Sequence, residues 1–145
     1  MSSGISSETR HVTCVAIGGV GVLIAGPSGS GKSDLALRLL DRGAVLVSDD
    51  QTVITKNDGA LIASAPSTIK GKIEVRGLGV IDMPCIDAAP VGLYVSLEGM
   101  TERYPFEEQT EIILGVGLRR MIVSPFEASA PIKVELALRH KANQT

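Results

Sequence analysis

The chain has 145 residues, with 14 Lys+Arg against 16 Asp+Glu and a formal net charge of −2. That length suits one domain burying roughly 70% of its unfolded surface, and 44% apolar with 21% charged residues excludes disorder as the main state. The absence of any basic run, an aromatic content of 3% and apolar runs far short of the roughly 20 residues of a membrane span exclude a dedicated nucleic-acid binder and a spanning helix.

Residues 1–10 are polar, lack the apolar core of a signal peptide and are expected as a flexible start. Cys14 and Cys85 lack CxxC spacing and read as reduced core thiols of a cytoplasmic protein. Val12–Ile17 reads as a strand, Gly18, Gly19 and Gly21 as a turn, and Val22–Ala25 as a second strand. Gly26–Ser33 then opens an amphipathic helix with Leu35/Leu39 and Ala36/Leu40 at i,i+4, closed by Gly43 as its C′ residue. Ala44–Ser48 is a buried strand that stops at Asp49-Asp50. Thr52–Ser64 predicts a hairpin about Lys56-Asn57-Asp58-Gly59. A polar loop over 65–72 leads to a strand and bend at Ile73–Asp82 and an interior strand at Val91–Leu97. Gly99–Thr110 is a charged loop, Ile112–Val123 contains strand material, and Pro131–Arg139 forms a helix with Ile132 and Leu136 on one face. Strand, P-loop, helix and strand form a βαβ unit, and no break in composition suggests two domains. The expected class is α/β, in a single domain.

Gly26-Pro27-Ser28-Gly29-Ser30-Gly31-Lys32-Ser33 is a complete P-loop between a predicted strand and a predicted helix. Its glycines let backbone N–H groups converge on phosphate oxygens, and the helix N-terminus adds partial positive charge. Lys32 can reach β- and γ-phosphates, while the Ser33 hydroxyl can ligate Mg2+. This is the strongest signal in the chain.

Asp49 and Asp50 gain meaning from topology. Strand, P-loop, helix and strand make a right-handed crossover, so both strands end at the edge where ligands bind. The two carboxylates should lie beside the phosphates. One could hold Mg2+, and the other could take a proton from an attacking hydroxyl. Glu74 and Arg76 read by themselves as an exposed strand face, His11 and His140 as structural or solvated, and Arg103 as a surface ion-pair residue.

GPSGSGKS, LVSDD at Leu46–Asp50 and IEVRGLGVID at Ile73–Asp82 together resemble the catalytic domain of the bacterial HPr kinase/phosphorylases, from about His11 to Arg139. The resemblance implies a P-loop mixed sheet related to phosphoenolpyruvate carboxykinase, with residues 11–145 as the catalytic domain. It implies transfer of the ATP γ-phosphoryl group, with Mg2+, to a serine of HPr, the small phosphocarrier of the sugar phosphotransferase system. By position Lys32 matches the P-loop lysine, Ser33 and Glu74 match Mg2+ ligands, and Asp50 matches the base toward serine. His11 falls at the family's catalytic histidine, and Arg103 at its active-site arginine.

The departures bear on direction and assembly. The chain resembles short forms without the additional N-terminal domain, and Pro27 and Asp34 replace commoner P-loop neighbours. The family's PGRN-like segment, linked to dephosphorylation, reads Pro125-Phe126-Glu127-Ala128 and lacks its arginine. That leaves phosphorylase activity open. A homo-oligomer is implied, though the shorter C-terminal helix does not carry over the long forms' hexamer. Because a P-loop does not identify its acceptor, a small-molecule kinase and a non-catalytic ATP-binding regulatory module also stay open.

Overall fold

The computed structural model describes residues 6–99 and 109–140 and begins with strand β1 (Ser6–Arg10). Strands β2 (Val12–Ile17) and β3 (Val20–Ala25) pair antiparallel about the Gly18-Gly19 turn, and helix α1 (Lys32–Asp41) follows the P-loop. After β4 (Val45–Ser48), the hairpin of β5 (Thr52–Asn57) and β6 (Ala60–Ser64) turns at Asp58 and Gly59, both at positive φ as a two-residue turn requires. Strands β7 (Lys72–Val75) and β8 (Gly79–Asp82) form a separate two-stranded arm. The chain continues through β9 (Ala89–Ser96), β10 (Gln109–Ile113) and β11 (Val116–Ile122) to helix α2 (Ala130–Arg139).

Nine strands make one mixed sheet among the described residues, in the order β1-β5-β6-β9-β3-β2-β4, with β11 also on β9 and β10 on β11. This is the α/β mixed sheet with a P-loop that the sequence predicts. Strands β3, β9 and β11 are parallel and end in register at Ala25, Ser96 and Ile122. Strand β2 lies between β3 and β4 and is antiparallel to both, so β3 and β4 run the same way and end at one edge. The two strands of the expected crossover are therefore parallel, with β2 inserted between them.

Alternation splits the core across the sheet. Val15, Val22, Ile24, Leu93 and Val95 face the helices and meet Leu35, Leu39 and Val134. Cys14, Leu23 and Val47 face the other way and are covered by Ile54, Leu61 and Ala63 of the β5–β6 hairpin, which curls over them. Both cysteines are free, and burial pushes the Cys14 thiol up to about 12. Helix α1 stops in a Schellman arrangement: Gly43 N–H donates to Leu40 O (3.1 Å) and Ala44 N–H to Leu39 O (3.1 Å), with Gly43 at φ +108°. No helix among the described residues is long and apolar enough to cross a membrane.

Two expectations change. Ser6–Arg10 is not a flexible start but an edge strand on β5, because its backbone completes the ladder and Arg10 pairs with Glu8 and Glu111. Val20 and Gly21 belong to β3 and not to the turn. In α2, Ile132 and Leu136 share a face as expected, and it is the exposed one. The buried face is Pro131, Val134 and Ala137, spaced by three.

Candidate active site

The P-loop bends where a side chain could not follow. A Cβ on Gly26 would lie 2.5 Å from Ser30 Oγ, and Gly31 sits at φ +105°. Gly31 is also the N-cap of α1 and supplies no side-chain cap, so the first-turn N–H groups are left for an anion at this edge. Lys32 is buried and donates to the carbonyls of Gly26 (2.8 Å) and Pro27 (3.2 Å). Its ammonium is held against the loop that it would serve.

Asp49 organises the other side. Its Oδ1 accepts from the Ser33 hydroxyl at 2.7 Å and from the Thr13 hydroxyl at 3.1 Å, and its Oδ2 accepts from Glu74 N–H at 3.0 Å. One buried carboxylate thus ties together the helix start, strand β2 and the β7–β8 arm. Asp50 follows at φ +66°, inside a tight turn closed by Gln51 N–H donating to Asp49 O at 2.7 Å. A non-glycine residue held there stores strain of order 1–3 kcal/mol, a pattern that clusters at functional sites. The Thr13 hydroxyl accepts from Asp50 N–H (3.0 Å), and the Ser48 hydroxyl donates to Gln51 O. The Asp50 carboxylate is exposed and lies 3.9 Å from Lys32 Nζ.

His11 occupies the corner between β1 and β2, one residue beyond the Val12–Ala25 pair, and is exposed. It lines a cleft of about 390 Å³ with Gly26, Tyr94, Ser96, Glu98 and Arg120. Arg120 lies 3.5 Å from Glu111 and donates to Gln109 Oε1 at 2.9 Å. Burial, with the Glu111 carboxylate adding to it, holds the Tyr94 phenol above its ordinary value.

The predicted residues Gly26–Ser33, Asp50 and His11 therefore come together at one edge, with Glu74 joined to them through its backbone nitrogen. Arg103 lies outside the described residues. Thr13, the hydroxyl that joins both aspartates, went unnoticed because a β-branched residue in a buried strand resembles core. The available signal was a hydroxyl in an otherwise apolar run, since a buried hydroxyl needs a partner. Tyr94 and Ser96 were hidden in the same way.

No three carboxylate, thiol or imidazole groups converge on a metal site among the described residues. Oxygen donors of the kind magnesium takes do stand beside the P-loop, where the Ser33 hydroxyl and the Asp49 carboxylate lie 2.7 Å apart.

Residues 5–132 match the family described as the HPr Serine kinase C-terminal domain. An HPr kinase/phosphorylase of Clostridium tetani is 38% identical over 130 residues, covering 81% of this chain and 43% of the relative. One from Clostridium perfringens is 35% identical over 136 residues, covering 85% and 44%. The chain thus spans less than half the length of these relatives. The solved structure of the HPr(Ser) kinase/phosphatase from Coxiella burnetii superposes with a TM-score of 0.78 at 33% identity, covering 91% of this chain and 94% of that one.

Proposed function

Because the chain belongs to the HPr serine kinase C-terminal domain family, we propose that it transfers the γ-phosphoryl group of ATP to a serine of an HPr-like phosphocarrier protein. The observation that carries this reading is the convergence at one sheet edge of Lys32, the Ser33–Asp49 hydrogen bond and the exposed Asp50 carboxylate. Phosphoryl transfer needs a cradle, a cation and a proton acceptor near one another, and little else from the protein.

The P-loop N–H groups bind the phosphates, and Lys32 exchanges its loop carbonyls for phosphate oxygens as the nucleotide enters. Ser33, with Glu74 as a second ligand, would hold a magnesium ion, which would supply charge neutralisation to the phosphates. Asp50 accepts the serine proton as the serine oxygen bonds to the γ-phosphorus and ADP leaves. Asp49, with both oxygens engaged, orients Ser33. His11 stands at the cleft beside Gly26 and meets the acceptor side of the reaction. Arg103 completes the set as a further charge partner of the phosphates. The catalytic domain on this reading takes in β1 as well as residues 11–145 and works in the cytoplasm, where such a phosphocarrier is met.

The test is incubation with labelled ATP, Mg2+ and HPr-like proteins, followed by mapping of phosphoserine. Label on a serine of the phosphocarrier is the expected result. ATP binding with no transfer to any such protein would turn the reading toward a regulatory module, and label on a small molecule toward a metabolite kinase.

A further inference from the structure

The phosphates of a nucleotide on a P-loop leave open where its base lies. On the reading above, the γ-phosphate end lies by Ser33, Asp49 and Asp50. What flanks the rest of the P-loop is then what the base would meet. The segment that leaves β11 carries Phe126. Its ring carbons lie 3.4 Å from where a Cβ on Gly31 would stand, so the ring flanks the start of α1. Yet the residue is 75% exposed, the only exposed aromatic among the described residues of a chain with two phenylalanines and no tryptophan.

The ring is not left to wander. Arg38 donates from Nη1 to Glu127 O at 3.1 Å and from Nη2 to Pro125 O, clamping the backbone on either side of Phe126 to helix α1. Arg38 is itself paired with Asp34, 3.1 Å away on the same helix. An apolar face held open to water beside a phosphate cradle suits one occupant, the flat ring of a nucleobase. Base–aromatic stacking is typically worth roughly five-fold to over a hundred-fold in affinity.

We propose that Phe126 is the stacking platform for the purine of the bound nucleotide and sets the preference for a nucleoside triphosphate over bare polyphosphate. This rests on the nucleotide-binding part of the function proposed above and not on the identity of the acceptor. The experiment measures binding by calorimetry with Mg2+ and no acceptor protein. Phe126→Ala is expected to weaken ATP about five-fold or more and to leave inorganic tripolyphosphate unchanged. Phe126→Trp should keep ATP affinity and introduce a single tryptophan, whose fluorescence ATP quenches and tripolyphosphate does not. Unchanged ATP affinity in Phe126→Ala, or equal loss for both ligands, would overturn the platform while the kinase reading stood. No ATP binding by the unaltered protein would overturn both.

Discussion

Lys32 and Asp50 divide the work of the site, and their substitution separates the two halves. Lys32→Ala removes the ammonium that faces the transferring phosphate, so transfer should fall by at least about 10²-fold. Circular dichroism should show the fold retained, since alanine at the first residue of α1 keeps the helix. Near-normal transfer would take the P-loop lysine out of the mechanism. Asp50→Asn keeps shape but cannot accept a proton. ATP should still bind while transfer drops by roughly 10²–10⁴-fold. Asp49→Asn should instead weaken nucleotide binding, because an amide cannot accept all three of the bonds from Thr13, Ser33 and Glu74. If Asp49→Asn bound ATP normally and stopped transfer, the two aspartates would exchange roles. At this scale the P-loop was legible because its chemistry is contiguous, and Asp50 because a crossover brings strand ends together. Thr13 was not, since its hydroxyl finds meaning only in a carboxylate 36 residues away.

Elements were legible where local chemistry sets them and obscure where a neighbour does. Helix α1 begins at a glycine and ends at Gly43 as its sequence predicts, and the Asp58-Gly59 hairpin turns where expected. Strand β1 could not be read, because Ser-Ser-Glu-Thr-Arg becomes a strand only once β5 offers its edge. In α2 the i,i+4 spacing of Ile132 and Leu136 gives a shared stripe but not which stripe is buried. The end of α1 supports a direct prediction. A Cβ on Gly43 would meet nothing within 4 Å, so Gly43→Ala has room but the wrong backbone, at φ +108°. It should lose about 1–2 kcal/mol of stability, seen as a lower urea midpoint at unchanged slope, with ATP binding intact. A loss of binding with no change in midpoint would mean that Gly43 acts on the site and not on the cap.

For the whole molecule the question is direction. Phosphorolysis of phosphoserine sets one anion against another and needs cationic donors at the attack site. Glu127 stands in the segment concerned and pairs with Lys133 at 3.0 Å, while Arg119 donates to Ala137 O in helix α2. Arg120 does reach the cleft, but it is shared with Glu111 and Gln109. The reverse reaction should therefore run slower than the forward one by about 10²-fold or more, the typical effect of one missing donor. Pyrophosphate release from phosphoserine-HPr, Mg2+ and excess phosphate measures it, and release at the forward rate would show that another residue supplies the charge. The β7–β8 arm extends this coupling to the clock of amide exchange. A lone two-stranded ribbon is marginal in water, and this one is fixed by Ile73 beneath α1 and by Glu74 N–H on Asp49. If opening the arm releases Asp49 and with it the nucleotide, ligand at a hundred times its Kd adds about 2.7 kcal/mol to that opening. Deuterium uptake at Ile73–Val75 should then slow roughly a hundred-fold with MgATP while the β5–β6 hairpin keeps its own pace. Equal uptake with and without nucleotide would uncouple the two. The arm is thus an occupancy gauge, readable from labelled amides without any turnover at all.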